Sequence, residues 1–314
     1  MKNKIILIPG GTGALGRHLI ERYHRDNKII VFSRDEHKHY NLLKDYPMVK
    51  SIVGDIRDKD SVMNALLRFN PNVVINAAAQ KHVPVCEDNP YESVKTNIIG
   101  HQNVIECINL YGKIETLIFV STDKACKPIN IYGMCKAISE QLYISFAKQQ
   151  NKTKVVTVRY GNVLESTGSV IPYFKGLLED SNTTTLPITD YNMTRFLLTL
   201  EQATDLIHWA YEYPNSHGKI AIPKVKSLKV TDIASVLIKS YGVDVNLEEI
   251  GIRPGEKLHE EMVSSEEWVK TEELDNFFLI GSEIKNSNHH SYNSFDYLMD
   301  SSDAYKFLQD SGVI

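Results

Sequence analysis

Residues 121–136 carry side chains for two kinds of chemistry within one short segment. Tyr132 and Lys136 are four residues apart, so on a helix they share a face about one turn apart. A lysine ammonium favours the phenolate of a nearby tyrosine, which suits oxidation of an alcohol by a nicotinamide cofactor. Asp123 and Lys124 add an acid and a base, which suit removal of water from the oxidised product. The segment therefore indicates a dehydratase that borrows a hydride and returns it.

The elements around this segment alternate between strand and helix, as in a parallel sheet covered on both faces. The predicted strands are 5–8, 29–32, 51–53, 72–77, 116–120 and 154–159. Helices are predicted from the glycine loop to about residue 25, over 91–110, and from the Tyr/Lys pair to about residue 149. Asp123 and Lys124 then follow the carboxyl end of the fifth strand, where such sheets bind ligands. The fold class is α/β, a Rossmann-type doubly wound parallel sheet.

Beyond Gly161 the alternation becomes irregular, which predicts a smaller C-terminal lobe that grips the substrate. We expect a nucleotide-binding domain over 1–162, to which some later segments return. A substrate-binding lobe is expected over 163–281, and a C-terminal extension over 282–314. Residues 284–294 are polar, and this composition predicts a surface loop.

The first strand runs into a glycine loop that suits a dinucleotide. Glycines let the backbone turn tightly and approach a pyrophosphate, and the following helix presents free N–H groups and a positive dipole end. A plain tight turn is the alternative, but the position between strand and helix favours the nucleotide. The loop residues predicted to bind the cofactor are Gly10, Thr12, Gly13, Ala14, Leu15 and Gly16.

The end of the second strand indicates which nucleotide binds. An NAD enzyme usually has an acidic residue there, whereas this chain has Ser33 and Arg34, and an arginine can pair with a 2′-phosphate. Lys38 adds a charge one turn later. Asp35 and Glu36 keep NAD open as an alternative, but NADP is favoured.

Asp55 and Ile56, after the third strand, are predicted to border the adenine, although Asp55 could instead cap the next helix.

Four cysteines lack a C-x-x-C pair and any metal-ligand spacing, so we expect reduced, mostly buried thiols and no metal site. The net charge of −4 gives no sign of a nucleic-acid or membrane surface. The short apolar start is a strand and not an export signal, which predicts a soluble cytoplasmic protein.

The chain resembles the extended short-chain dehydrogenase/reductases, and among them the soluble, C5-inverting UDP-N-acetylglucosamine 4,6-dehydratases of the polysaccharide biosynthesis protein family. The resemblance spans about residues 4 to 281. In the first half it rests on Gly-Gly-Thr-Gly-Ala-Leu-Gly (10–16), Ser-Arg-Asp-Glu (33–36), Ala-Ala-Gln-Lys-His-Val-Pro (78–84), Ser-Thr-Asp-Lys-Ala (121–125) and Asn-Ile-Tyr-Gly (130–133). In the second half it rests on Arg-Tyr-Gly-Asn-Val (159–163), Gly-Ser-Val-Ile-Pro (168–172), Met-Thr-Arg-Phe (193–196) and Gly-Ile-Arg-Pro-Gly-Glu-Lys-Leu-His-Glu (251–260).

The resemblance implies a role for each reactive side chain. Tyr132 would take the proton of the sugar 4-hydroxyl while hydride leaves C4 for NADP⁺. Lys136 would lower the pKa of that tyrosine and hold the nicotinamide ribose, and Thr122 would hydrogen-bond the 4-oxygen. Lys124 would remove the C5 proton, and Asp123 would protonate the departing 6-hydroxyl. The resemblance also assigns Ala78 to the cofactor.

The same resemblance implies that a UDP-N-acetylhexosamine is held by residues outside this segment. These are Lys81, Asn162, Val170, Thr189, Arg195, Arg253 and Glu256. The chain departs from the family pattern at four positions, namely Pro9, Gln80, Glu165 and Thr167. By this resemblance, the last two adjoin the nicotinamide and substrate region.

Membrane-anchored relatives that retain the C5 configuration usually have methionine where this chain has Tyr132, which favours inversion here. Three other functions stay open. They are a UDP-sugar 4-epimerase, a 4,6-dehydratase of another nucleotide sugar, and a non-catalytic NADP-binding scaffold. Relatives also form dimers or hexamers, and a homo-oligomer that pairs helices 91–110 and 131–149 is expected.

Overall fold

The computed structural model describes residues 1–164, 166 and 168–314, so Glu165 and Thr167 lie outside the described residues. Its strands are β1 (Ile5–Pro9), β2 (Lys28–Ser33), β3 (Lys50–Val53), β4 (Val73–Asn76), β5 (Thr116–Val120), β6 (Lys154–Val158), β7 (Asn162–Val163), β8 (Thr185–Ile188), β9 (Thr194–Leu198), β10 (Ile220–Pro223), β11 (Ser227–Lys229), β12 (Asn246–Glu249), β13 (Glu261–Val263), β14 (Thr271–Glu273), β15 (Phe277–Ile280) and β16 (Tyr292–Asn293). Its α-helices are α1 (Ala14–Tyr23), α2 (Glu36–Asp45), α3 (Lys59–Phe69), α4 (Val83–Asp88), α5 (Pro90–Val94), α6 (Gly100–Tyr111), α7 (Ile131–Gln149), α8 (Val170–Leu178), α9 (Leu200–Glu212), α10 (Val230–Tyr241), α11 (Ser265–Trp268) and α12 (Ser301–Asp310).

The central sheet has nine strands in the order β14-β15-β10-β6-β5-β4-β1-β2-β3. Its first six strands in chain order are parallel and lie in the order of dinucleotide-binding doubly wound folds. The α/β Rossmann-type prediction is confirmed. β10 continues the parallel sheet beside β6, and β15 and β14 close that edge antiparallel, so the chain returns to this sheet after residue 162.

Hydrophobic side chains point to both faces of this sheet because helices cover each face. Along β1, Ile6 and Ile8 belong to one core and Leu7 to the other. A strand that is buried on both sides needs a continuous apolar run, and this explains why β1 lacks a polar alternation. The carboxyl ends of these strands form the edge that carries the candidate site.

Several boundaries differ from the sequence prediction. The helix predicted over 91–110 begins at Pro90 and contains a π-helical turn, Lys95–Ile99, before it ends at Gly112 with a left-handed backbone. The first helix ends at Tyr23 and not at residue 25. The prediction of a surface loop over 284–294 is wrong at its end, since Tyr292 is buried in β16, which pairs with β13.

The segment after residue 162 also builds a second core. Its apolar side chains come from α8, α10, α12 and the small sheets β11-β9-β7 and β12-β8. Leu308 of α12 is fully buried against this core, so residues near the C-terminus are part of the lobe. The division at residue 162 stays a prediction. Among the described residues, no helix is long and apolar enough to cross a membrane.

Candidate active site

The segment after β5 is fixed to the neighbouring strand before the reactive residues begin. The Ser121 amide donates to the Val158 carbonyl and the Asp123 amide to the Tyr160 carbonyl, which extends the β5–β6 ladder past the end of both strands. Residues 123–125 then form one 3₁₀ turn. Asp123 and Lys124 therefore leave the sheet at its carboxyl edge with a constrained backbone.

Asp123 is fully buried, and its two carboxyl oxygens have different surroundings. Its Oδ1 accepts hydrogen bonds from Thr122 Oγ1 at 2.9 Å and from Lys124 Nζ at 3.1 Å. Its Oδ2 is buried without a partner among the described residues. Burial raises the pKa of Asp123, although the Lys124 ammonium opposes this. A carboxyl group with a raised pKa and one free oxygen suits a proton donor.

Lys124 has three polar neighbours from three parts of the chain. Besides Asp123, its Nζ donates to Asn162 Oδ1 at 3.4 Å and lies 3.6 Å from Glu260 Oε1. Burial works against the ammonium, but the carboxylates of Asp123 and Glu260 outweigh burial and raise the pKa of Lys124. Asn162 was predicted to bind substrate, and the structure brings its side chain to Lys124, the predicted base.

Sequence reasoning missed Glu260, although it stands at the end of the quoted motif over 251–260. Its side chain is buried, and Oε2 lies 3.7 Å from Lys257 Nζ. Burial alone would raise the pKa of Glu260, but Lys124, Arg195 and Lys257 together lower it. Glu260 is thus a buried carboxylate that balances three cations. The available signal in the sequence was the position of this acidic residue at the end of a motif shared with the family.

Tyr132 and Lys136 lie in the first turns of α7, as predicted. Asn130 caps this helix by accepting the Gly133 amide at 2.7 Å. Both side chains are buried, and Lys136 Nζ donates to the Val120 carbonyl at 2.7 Å, with the Phe119 ring centroid 4.5 Å away.

The structure differs from the expectation that Lys136 lowers the pKa of Tyr132. Burial, followed by the Asp123 carboxylate, raises the pKa of this phenol, and a hydrogen bond with Thr122 opposes the rise. Burial also lowers the pKa of Lys136 to about 7. The physical reason is that removing both groups from water disfavours both charged forms.

Gly133 lets α7 approach the catalytic turn. A Cβ at this position would lie 2.2 Å from the Lys124 carbonyl oxygen, far inside van der Waals contact. The glycine in the Asn-Ile-Tyr-Gly motif therefore sets the distance between the Tyr/Lys pair and the acid–base pair.

A buried cluster of ion pairs also holds α7 in place. Arg159 is 1% exposed and binds Glu140 of α7 at 2.6 Å and Glu267 of α11 at 2.8 Å. Glu140 also accepts the Ser121 hydroxyl at 2.6 Å. This network, which sequence reasoning also missed, connects the end of β5, the helix of Tyr132 and the second half of the chain.

The glycine loop has the shape that a dinucleotide requires. Gly10 has φ +80°, and a Cβ there would lie 2.7 Å from the backbone of residues 77 and 78. A Cβ on Gly16 would lie 2.3 Å from the Gly11 carbonyl oxygen. Since the first helical bond of α1 is Arg17 N–H to the Gly13 carbonyl, the amides of Ala14, Leu15 and Gly16 precede it and are available to an anion.

Just after β2, Asp35 is the N-cap residue of α2. Its side chain accepts the Lys38 amide at 3.0 Å and caps α2. Arg34 is exposed and lies 3.8 Å from Asp55 Oδ2. Asp55 does not cap the next helix, because Asp58 does so; Asp55 instead binds Arg57 at 2.6 Å.

The other predicted cofactor residues lie along the same edge. Thr12 and Ser33 join their hydroxyls at 2.9 Å, and Ile56 is buried. The Ala78 amide donates to Asn76 Oδ1 at 3.3 Å. Desolvation and the nearby charge of Lys38 lower the pKa of Lys81, so a residue predicted for the substrate lies near one predicted for the 2′-phosphate.

The predicted substrate residues fall into three groups. Asn162 and Arg195 lie near Lys124, and Arg195 Nη1 donates to the carbonyls of Thr194 and Leu258. Arg253 and Glu256 lie 3.9 Å apart in a loop anchored to the start of α7, where Asn130 Nδ2 donates to the Gly255 carbonyl at 2.7 Å. The third group, Val170 at the first residue of α8 and Thr189 after β8, lies in the second lobe.

The cysteines and the candidate metal ligands were also considered in the sequence predictions. All four cysteines are free and buried, as expected. Within the described ranges, no cluster of three or more His, Cys, Asp or Glu side chains could hold a metal ion.

Comparison with known proteins agrees with the fold and with the predicted family. The family model described as polysaccharide biosynthesis protein matches residues 6–282. The chain is 42% identical over 290 residues to UDP-N-acetylglucosamine 4,6-dehydratase (inverting) of Campylobacter jejuni, covering 90% of this chain and 84% of that protein. It is 36% identical over 300 residues to UDP-glucose 4-epimerase of Rickettsia bellii, covering 92% and 86%. The crystal structure of Pen from Bacillus thuringiensis superposes with a TM-score of 0.92 at 32% identity, covering 100% of this chain and 99% of that one.

Proposed function

Because the chain belongs to the polysaccharide biosynthesis protein family, we propose that it is an NADP-dependent UDP-N-acetylglucosamine 4,6-dehydratase that inverts C5. Its product would be UDP-2-acetamido-2,6-dideoxy-β-L-arabino-hex-4-ulose, a precursor of 6-deoxy amino sugars in glycans. The observation that carries the proposal is the buried Asp123–Lys124 pair, which lies beside the phenol of Tyr132. The hydride taken from C4 would be returned to C6 of the enone that is left by loss of water. The reaction therefore removes water and leaves the cofactor unchanged, which makes the protein a lyase.

The cofactor end fits an NADP dinucleotide. The free amides at the start of α1 and the close-packed glycines would hold the pyrophosphate. One oxygen of Asp35 accepts the Lys38 amide as the cap of α2, while Arg34 is exposed and can reach a 2′-phosphate, which favours NADP over NAD. Ser33 and Lys38 would complete the phosphate site. Asp55, Ile56 and Ala78 would line the adenosine.

In the oxidation half, Tyr132 removes the proton of the 4-hydroxyl and Thr122 supports the same oxygen. When bound, the oxidised nicotinamide accepts a hydride from C4, and its positive charge favours the phenolate. The hydroxyl of Thr122 now donates to Asp123, so it must turn to reach the substrate. Lys136, whose amine is fixed by the Val120 carbonyl, would orient the ribose.

In the elimination half, Lys124 takes the C5 proton and Asp123 gives a proton to the departing 6-hydroxyl, which leaves as water. Transfer of one proton across the 3.1 Å between Lys124 and Asp123 converts the ion pair into an amine and a carboxylic acid. These are the states that a base and an acid require, and neutral groups suit a buried site. Asp123 Oδ2, which has no partner in the described part of the chain, is the oxygen available to the 6-hydroxyl.

Glu260 makes Lys124 a stronger base. Once Lys124 holds the C5 proton, the carboxylate 3.6 Å away stabilises the ammonium. Inversion then requires that C5 receives a proton on the face opposite to the one that lost it. Asn162 and Glu260 hold the Lys124 amine, so Lys124 would donate that proton after the intermediate turns its other face to the amine.

Binding of the UDP-sugar is assigned to four sets of residues. Asn162 and Arg195 border the reacting end, and the Arg253–Glu256 loop is anchored beside the start of α7. Lys81 follows β4, on the cofactor side. Val170 and Thr189 would contact the substrate from the second lobe.

The experiment that tests this function is a panel of sugar nucleotides analysed by mass spectrometry. UDP-GlcNAc should lose one water, and UDP-glucose and dTDP-glucose should react more slowly. Proton NMR of the product formed in deuterated water should show deuterium at C5 and the L-configured ring. A D-xylo product would contradict inversion.

A 4-epimerase is the second candidate, because the chain is 36% identical to a protein of that name. An epimerase needs the Tyr/Lys pair but no acid–base pair. If the panel yields a C4 epimer of full mass and no dehydrated sugar, the epimerase assignment replaces the dehydratase.

We propose that the protein is a homo-oligomer whose subunit interface is formed by the helices beside the site. The exposed apolar side chains on α5, the π turn and α7 are those of Tyr91, Ile99, Met134 and Ile138. Burying such a surface against a second copy is favourable. Analytical ultracentrifugation should give a dimer or hexamer, and Ile138→Lys should reduce it to smaller species. The four buried free thiols suit the cytoplasm as the proposed location.

A further inference from the structure

A buried histidine lies directly behind the cofactor end of β2. His39, in the first turns of α2, is 3% exposed. Its Nε2 lies 2.8 Å from Ser33 Oγ and 3.0 Å from the Ser33 carbonyl oxygen. Its Nδ1 lies 2.5 Å from Ser51 Oγ on β3. Both ring nitrogens are therefore in contact with polar partners, which fixes the ring orientation.

The contact with the carbonyl determines the direction of the hydrogen bonds. A carbonyl oxygen only accepts, so Nε2 of His39 carries a proton. The same N–H points to Ser33 Oγ, which therefore accepts from it. This direction holds for the neutral ring, in which Nδ1 accepts from Ser51, and for the charged ring, in which Nδ1 donates.

The hydroxyl proton of Ser33 is then directed away from His39. Its nearest partner is Thr12 Oγ1 at 2.9 Å, in the glycine loop. His39, Ser33 and Thr12 thus form a chain of donors that leads from the interior to the cofactor edge. Phosphate oxygens accept hydrogen bonds, so a Ser33 hydroxyl that points away from His39 suits an anion. Because this hydroxyl has one proton, it would turn from Thr12 to the phosphate when NADP binds. The reverse direction would present lone pairs to the phosphate.

We propose that His39 is a positioning residue for cofactor choice, which holds the Ser33 hydroxyl as a donor to the 2′-phosphate of NADP. The inference rests on the proposed function, because it assumes that Ser33 and Arg34 receive that phosphate. His39 contacts no cofactor atom in this scheme and acts through Ser33. A purely structural histidine would hold α2 to β2 and β3 and would affect NADP⁺ and NAD⁺ equally.

The test is the ratio of the Kd values for NAD⁺ and NADP⁺, measured by calorimetry on the full chain freed of nucleotide. Wild type should prefer NADP⁺. His39→Leu removes the donor at similar volume and should weaken NADP⁺ binding by about 10-fold, as expected for a hydrogen bond to a charged group, with NAD⁺ binding unchanged. Ser33→Ala should give the same loss, and the double variant should add little to either, because both remove one interaction.

Ser51→Ala is the matched control. It removes the other partner of His39 but keeps the Nε2 donor, so the preference for NADP⁺ should stay at the wild-type value. His39→Met is a second donor-free variant for the case in which leucine is not tolerated in the buried site.

Two results would overturn the inference, and they are distinguishable. If wild type prefers NADP⁺ and folded His39→Leu or His39→Met keeps the wild-type ratio, His39 has no role in cofactor choice, and the dehydratase proposal is unaffected. If wild type binds NAD⁺ as tightly as NADP⁺, the proposed cofactor is wrong and the inference falls with it.

Discussion

The proposed cofactor end and the proposed catalytic end lie on the same edge of one sheet but differ in the charged groups they contain. At the glycine loop, the groups that face an anion are backbone amides and the hydroxyls of Thr12 and Ser33, with Arg34 exposed. At the proposed catalytic end, Lys124 Nζ lies 3.1 Å from Asp123 and 3.6 Å from Glu260, and both carboxyl groups are buried. Backbone donors tolerate side-chain changes, whereas loss of one buried charge leaves its partner uncompensated. The two ends should therefore respond differently to substitution.

The largest effect is expected at Asp123. Asp123→Asn keeps the size of the side chain but removes the acid, so kcat should fall by about 10²–10⁴-fold in steady-state turnover. Affinity for NADP⁺ should not change, because the cofactor end is separate. A fall in both quantities would mean that the two ends are not independent.

Gly133 tests the spacing between the Tyr/Lys pair and the acid–base pair. Gly133→Ala would push α7 away from the Lys124 carbonyl, and a misplacement of this size should lower kcat about 10²-fold. Gly176→Ala in α8 is the control, since its Cβ would meet no atom within 4 Å. That variant should keep full activity and unfold at an equal or higher temperature. Equal activity of both variants would contradict the spacing argument.

Glu260→Gln should have an intermediate effect. The carboxylate raises the pKa of Lys124, so its loss lowers that pKa. Because the working pair of Asp123 and Lys124 holds one proton, activity falls with pH as Lys124 loses that proton to solvent, and this falling limb should move to lower pH. The maximal rate should fall about 10-fold, since a weaker base gains less from the proton. A pH–rate profile that is scaled but not displaced would indicate that Glu260 acts only through folding.

The smallest effect is a change in the pH dependence of stability at Lys136. Its folded pKa of about 7 lies below its unfolded value, so between these values the unfolded chain binds more protons and stability rises with pH. This contribution is at most about 1.4 kcal/mol per pH unit. In urea titrations between pH 7 and pH 9, wild type should gain stability relative to Lys136→Met. A constant difference would show that Lys136 is not buried as described.

The two ends also differ in how much the sequence reveals. The glycine loop, Ser33 and Arg34 are local in the chain, and their positions after β1 and β2 follow from the strand pattern alone. The same pattern predicted β5 and the start of α7, and thus Asp123, Lys124, Tyr132 and Lys136.

Contacts between distant segments could not be predicted. Glu260 contacts Lys124 although more than a hundred residues separate them in the chain. His39 contacts Ser33 from α2, a helix that the sequence pattern did not predict. Tertiary packing decides both. The effect of burial on the pKa of Tyr132 was missed for the same reason, since the Tyr/Lys spacing gives no measure of desolvation.

The most direct test of the division of work at the catalytic end uses Lys124→Met. This variant keeps Tyr132 and Lys136 but lacks the base for C5. In a single turnover with UDP-GlcNAc, wild type should return its nicotinamide absorbance to the starting value and release the dehydrated sugar. The variant should instead accumulate reduced nicotinamide and a 4-keto sugar that retains its 6-hydroxyl and its C5 proton. Dehydrated product at the wild-type rate from Lys124→Met would contradict the assignment of Lys124 as the base.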